Sequence, residues 1–432
     1  MFGWAGRHVS ESSAVTSSDM SLTEERAWQG GWLRAGAIAS VAITVAYFLY
    51  QTCKFRVASL FELSGDASII FQQSLAISAS DRYPAQLALG NFNAIFPYPP
   101  PAILIFSVAA RLGPTLFMTA AEALTFVALF AVVRLCVSYE DRSIARLWPL
   151  LLLPVILLTY NPIEYDLFGR NVNLTILALT LSAFALLRRV PIISGVLLAL
   201  AISLKLYSGL LLIWLLVFNR KAAISCIAAL AALWLVAPLL YWGGAGTLQV
   251  YQGWLEQLVM ANGSWVYAMT GTGLGPPLIT LRLAASRMLA ADPFGSEVRS
   301  LLLLLQGAWV CVLAVYGYRA WWRRASEGVW RATLADWFVL LVAPLPFSTW
   351  LEPYHAVALI PGFVLCLVLA LDKSLSVGAR AVLVLACLAS AAVKELPVPF
   401  EMRGLIFTAQ FTFVILALCV IRPALMCSKT RS

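Results

Sequence analysis

Residues 188–221 read RRVPIISGVLLALAISLKLYSGLLLIWLLVFNRK. Between the pairs Arg188/Arg189 and Arg220/Lys221 the single charged side chain is Lys205. Two apolar arms, 191–204 and 206–219, flank it. Such arms read as a helical hairpin in lipid, with both basic pairs on one side and Lys205 near the opposite apex. Each arm is shorter than the roughly 20 residues that cross a hydrocarbon core, so the bracketing charges rather than the lengths define the hairpin. An ammonium in that setting either serves a function or snorkels to the interface along its own alkyl chain.

Apolar runs of the same kind recur from about residue 33 to residue 422. Of the 432 residues, 61% are hydrophobic and 12% charged, and the mean hydropathy is +0.85. A soluble globular chain carries roughly twice that charge fraction, and a disordered one far fewer apolar residues. The expected fold is all-α: a polytopic transmembrane protein of about 12 spans, near 33–50, 115–137, 146–161, 172–187, 191–204, 206–219, 222–242, 299–318, 333–350, 355–371, 379–394 and 404–421. Pro100–Leu112 is too short to cross and is expected to dip into the outer leaflet. The domains are then a polar cytoplasmic tail (1–31), one membrane domain (32–422) and a basic cytoplasmic tail (423–432).

The formal charge of +9 has its source in this topology. With both termini cytoplasmic, 19 of the 30 Lys and Arg residues lie on the cytoplasmic side, among them Arg134, Arg142, Arg146, Arg319, Arg323 and Arg324. That is the bias expected of orientation in a plasma membrane, and no nucleic-acid partner is needed. The N-terminal stretch is Ser-rich, without the apolar core of a signal peptide. Eight scattered Cys show no CxxC spacing, and no phosphate loop or HExxH motif occurs. No metal or cofactor is expected.

Two outer segments, about 51–99 and 243–298, are longer than a helix connection requires and point to a folded outer cavity. In the first, Ala67–Ala79 has the pattern of an amphipathic helix on the membrane surface. Asp66 opens it, either as a helix cap or as an ionised base for a hydroxyl. Phe96-Pro97-Tyr98-Pro99-Pro100-Pro101 is a rigid turn into the short apolar helix. In the second, Tyr251, Trp254, Trp265 and Tyr267 near Gly271–Pro277 either stack on sugars or form an interfacial belt. Gly169-Arg170-Asn171-Val172-Asn173 stands at the mouth of span 172–187, where Arg170 either grips a phosphate or pairs with Glu164 or Asp166. His355, the one His beyond the N-terminal tail, opens span 355–371 and is either structural or a contact for a phosphate or hydroxyl. Glu122 lies alone inside span 115–137 and receives no catalytic role.

The order of these pieces resembles glycosyltransferase family 87. It begins with Gly65-Asp66 opening an outer amphipathic stretch, then Phe-x-Tyr-Pro-Pro (96–100) before a short helix. Gly169-x-x-x-Asn173 leads a span ending in Arg188-Arg189, and SGVLLALAISLKLY (194–207) follows. The similarity runs over roughly 60–360 and is strongest over 90–215. It implies a membrane-embedded C-type glycosyltransferase fold and inverting transfer of a sugar, mannose being the commonest, from a polyprenyl-phosphate donor to a lipid or glycan acceptor on the extracytoplasmic face. Asp66 matches the family's base. Tyr98, Arg170, Asn173, Lys205 and His355 are the expected substrate-binding residues. Arg170 stands where the family usually has Gln, and Ala67-Ser68-Ile69 replaces the aromatics often found after the base.

Two other functions suit the composition. A lipid-linked sugar flippase is expected to show inverted repeats around a midplane site, whereas both long segments here face one side. A surface-polysaccharide ligase or polymerase would instead use a lipid diphosphate donor.

Overall fold

The computed structural model describes residues 17–58, 66–80, 98–140, 148–168, 171–261, 280–327, 334–347, 353–371, 375–393, 406, 408–410 and 412–415. Among the described residues every regular element is helical and none is a strand. The first helix, α1 (Ser17–Ala58), begins inside the polar stretch expected as a tail. It is followed by α2 (Asp66–Ser80), α3 (Pro100–Ala110), α4 (Pro114–Glu140) and α5 (Trp148–Phe168). Next come α6 (Asn173–Leu186), α7 (Pro191–Leu204), α8 (Leu210–Phe218), α9 (Arg220–Ala231) and α10 (Ala237–Ala261). The remainder is α11 (Leu281–Leu289), α12 (Ser296–Glu327), α13 (Leu334–Val342), α14 (Ile360–Ala370) and α15 (Val377–Val393).

Among the described residues, four helical runs are long and apolar enough to cross a membrane: Gly31–Lys54, Pro114–Ser138, Arg220–Val259 and Ser296–Ala314. Eight shorter apolar helices accompany them, including Pro100–Ala110 and both arms of the 188–221 hairpin. Large apolar side chains stay exposed along these helices, Leu240 at 83% and Ile38 at 71% among them. Such faces are a liability in water and the expected finish in lipid.

The hairpin is closed at its base. Asn219 Nδ2 donates to Leu187 O at 3.1 Å, so the chain returns after α8 to the level at which α7 began. At 1.5 Å per residue, the 14 residues of α7 rise only about 21 Å, against a hydrocarbon layer of about 30 Å.

Helix α9 runs parallel to α7. Ser225 Oγ donates to Ile192 O at 2.8 Å, and further along both helices Trp234 Nε1 donates to Ser203 Oγ at 3.0 Å. Their closeness depends on Gly195, where an added Cβ would meet Cys226 N at 2.7 Å and Ser225 Cβ at 2.8 Å. Small residues at such a crossing let two backbones approach where no hydrophobic force drives helices together.

In α5, Pro154 and Pro162 interrupt the hydrogen-bond ladder, and Thr159 (φ −127°, ψ 20°) marks the kink. The apolar part of α5 ends at Tyr160, and the turns beyond it carry Glu164 and Asp166. Expected span 222–242 proves longer: helix runs from Arg220 through a π-turn at Ala232–Val236 and a kink at Gly243 (φ 70°) to Ala261. Much of the second long segment is thus helical. The main core joins α4–α9 with α13 and α14. A second cluster joins α2, α3 and α10 around Ala201 and Leu204, near the Lys205 end of α7. In α2 the buried positions Ile70, Ser74 and Ile77 share one face, as the amphipathic pattern predicts, and α2 packs on α3.

Candidate functional site

Helices α5 and α6 meet through a tight turn held by its own polar groups. Asn171 N donates to Asp166 O at 2.8 Å, and Asn171 Oδ1 accepts from Val172 N at 2.9 Å. The Asp166 carboxylate, fully buried, sits at the N-terminus of α6. Its Oδ1 accepts from Asn173 Nδ2 at 2.9 Å and its Oδ2 from Leu174 N at 3.4 Å. A negative charge there is favoured by the first-turn amides and the helix dipole.

Lys205 reaches the same turn from α7. Its backbone is extended (φ −150°, ψ 131°), which breaks the helix after Leu204 before a 3-10 turn, Leu206–Gly209. The ammonium donates to Asn173 Oδ1 at 2.9 Å and to Asn171 Oδ1 at 3.3 Å. Its Nζ lies 5.7 Å from the centre of the Tyr98 ring, a cation–π distance. Tyr98 packs edge-on against Phe106 of α3 at 5.5 Å. A half-buried cation among apolar helices is costly unless its donors are met.

Asn173 is therefore a bridge. Its oxygen faces a group that can only donate and its nitrogen a carboxylate that accepts, so the two partners fix the orientation of the amide. The resulting line runs from ammonium through amide to carboxylate, leaving the two opposite charges linked without touching.

Of the expected site residues, the structure brings Tyr98, Asn173 and Lys205 together. Half-buried His355 lies on a 3-10 segment, Pro353–Leu359, packed against α5 and α6, whose adjoining ends carry Asp166 and Asn173. Asp66 is the first residue of α2; its carboxylate, like all of Arg170, lies outside the described residues. Glu164, one acid beside Arg170, pairs with Lys54 of α1 at 2.8 Å. Trp254 is buried edge-on against Trp234 at 5.6 Å, which makes it packing rather than a sugar platform. Trp265, Tyr267 and residues 271–277 lie outside the described residues. Glu122 is buried in α4. Among the described residues, no three His, Cys, Asp or Glu side chains cluster to hold a metal.

Sequence reasoning missed Asn171 as a partner of Lys205 and Asp166 as the partner of Asn173. The available signal was the cost of Lys205 itself, which calls for a counter-charge at the same level of the bundle.

A model of glycosyltransferase family 87 matches residues 96–344, more than half of the chain. The chain belongs to glycosyltransferase family 87. Its apolar helices make this member of family 87 a multi-pass membrane protein. The family 87 match contains Tyr98, Asp166, Arg170, Asn171, Asn173 and Lys205, whereas Asp66 precedes it and His355 follows it. No curated protein and no solved structure matches the chain.

Proposed function

We propose that this family 87 glycosyltransferase transfers a sugar, mannose first among the candidates, from a polyprenyl-phosphate donor to a lipid or glycan acceptor, with inversion at the anomeric carbon. The observation that carries the reading is the Lys205 ammonium, held by Asn171 and Asn173 beside Tyr98 at one end of the helical bundle. A donor whose lipid stays in the bilayer must present its phosphate near the membrane boundary, and a fixed cation there offers a partner for it. In the proposed orientation this end faces the extracytoplasmic side of the plasma membrane, both termini are cytoplasmic, and about 12 spans form a C-type glycosyltransferase fold.

Asp66, as base, takes the proton of the acceptor hydroxyl while its oxygen attacks the anomeric carbon. The bond from that carbon to the phosphate oxygen breaks, and its electron pair leaves with the polyprenyl phosphate. Lys205 meets the charge growing on that phosphate, with Arg170 and His355 as further contacts and Tyr98 and Asn173 shaping the site. Asp66 then returns its proton to water.

The test is transfer by purified protein in lipid, offered polyprenyl-phosphate-linked mannose, arabinofuranose, glucose and galacturonic acid with a mixed membrane-lipid acceptor pool. One donor should yield product, and Asp66→Asn should lower its rate by about a hundredfold or more while leaving donor binding within about twofold. Activity in Asp66→Asn within a few-fold of the parent removes Asp66 from the base role. Movement of lipid-linked sugar between leaflets without transfer would instead mark a flippase.

A further inference from the structure

Beyond the residues that would touch substrate, we infer that Asp166 is a positioning residue for the anion site: acting through Asn173, it sets the Lys205 ammonium that receives the donor phosphate. The inference rests on the donor assignment proposed above and adds to it a residue that never meets the substrate.

Three observations converge on it. The Asp166 carboxylate is fully buried and held by two donors, Asn173 Nδ2 at 2.9 Å and Leu174 N at 3.4 Å. A buried carboxylate anchored on a helix N-terminus is a fixed reference point rather than a mobile side chain. Next, Asn173 presents its oxygen to Lys205 while its nitrogen donates to Asp166, and an amide turned by 180° would aim its N–H donors at the ammonium and lose both contacts. Asp166, accepting only, adds its own preference for the productive orientation to that of the ammonium. Finally, the carboxylate stands one side chain away from Lys205. Direct contact would commit the ammonium to the carboxylate, whereas no link at all would leave the Asn173 amide without its acceptor. The interposed amide gives an arrangement between these extremes.

Asp166→Asn tests the orientation because it keeps the shape and one acceptor but adds a donor. The new amide can hydrogen-bond Asn173 in either orientation, so the Asn173 oxygen is no longer committed to Lys205. If Asp166 works through Lys205, its effect must vanish once the ammonium is gone. A double-mutant cycle reads this directly.

Four full-length proteins, the parent, Asp166→Asn, Lys205→Met and the double variant, would be purified into lipid nanodiscs, and binding of sugar-free polyprenyl phosphate measured on the folded fraction of each. We expect each single change to weaken binding by about tenfold or more, and the double variant to bind within about twofold of Lys205→Met. Asp166→Glu, which keeps an acceptor-only group, should recover part of the loss. Losses that multiply in the double variant, or an Asp166→Asn protein that binds like the parent, would overturn the positioning role and leave the donor assignment standing. No binding by the parent would overturn the donor assignment, and the role of Asp166 with it.

Discussion

Lys205 shows how one side chain carries both readings of this protein. Its position in an apolar hairpin singles it out from sequence, because a cation among apolar helices is retained only with partners or a task. Its partners do not follow from the same reasoning. Asp166 stands four residues before Arg170 and invites a local pairing, yet its described bonds close across the α5–α6 turn onto Asn173 and Leu174. Snorkelling accounts for a lysine tip in water; it does not account for an ammonium committed to two Asn oxygens at 2.9 and 3.3 Å. Lys205→Ala should raise the donor KM by about ten- to a hundredfold, the worth of a charge-assisted contact, and change the acceptor KM by less than about twofold. Steady-state kinetics varying each substrate in turn would check this, and equal losses for both would reduce Lys205 to a support of the fold.

At the scale of elements, the hairpin was legible because its ends are marked by charge and its arms by unbroken apolarity. The stretch after Asp66 was legible as a helix, and its buried positions Ile70, Ser74 and Ile77 fall at helical spacing. The partner of α7 was not legible. Its close packing with α9 hangs on Gly195, one of 26 glycines, and nothing local separates a glycine under another backbone from one in open space. Gly195→Leu should therefore force α7 and α9 apart and destabilise the protein by about 1–3 kcal/mol or more. Gly307→Ala, in α12 with nothing within 4 Å of the added carbon, should be neutral or stabilising by up to about 1 kcal/mol. Thermal unfolding in one detergent would check the pair, and equal midpoints would show that the α7–α9 approach is not tight. The sequence reading ended the span at residue 242 and placed 243–298 in an outer segment, whereas helix continues to Ala261. In the structure Gly243 takes a positive φ and kinks the run without ending it.

For the whole molecule, the distribution of charge is the strongest long-range signal in the sequence. It yields an orientation that the proposed mechanism depends on, since the donor phosphate and Asp66 must share one side. With native cysteines replaced, an impermeant thiol reagent added outside should label Ser80→Cys and Gly271→Cys and spare Ala325→Cys; the reverse pattern would invert the protein and move the site to the cytoplasmic side. Among the described residues, four long apolar helices with eight shorter ones agree with a polytopic protein. By itself the sequence determined the helical class, the membrane setting, the hairpin around Lys205 and the kinship with family 87. Those rest on hydropathy, charge and motif order, which are sums over contiguous residues. The tertiary structure alone decided that Asn171 and Asn173 hold Lys205 and Asp166 holds Asn173, that α9 lies parallel to α7, and that α2, α3 and α10 gather at the Lys205 end. Those are contacts between segments distant along the chain, selected by which buried donors and acceptors can satisfy one another once the helices are packed.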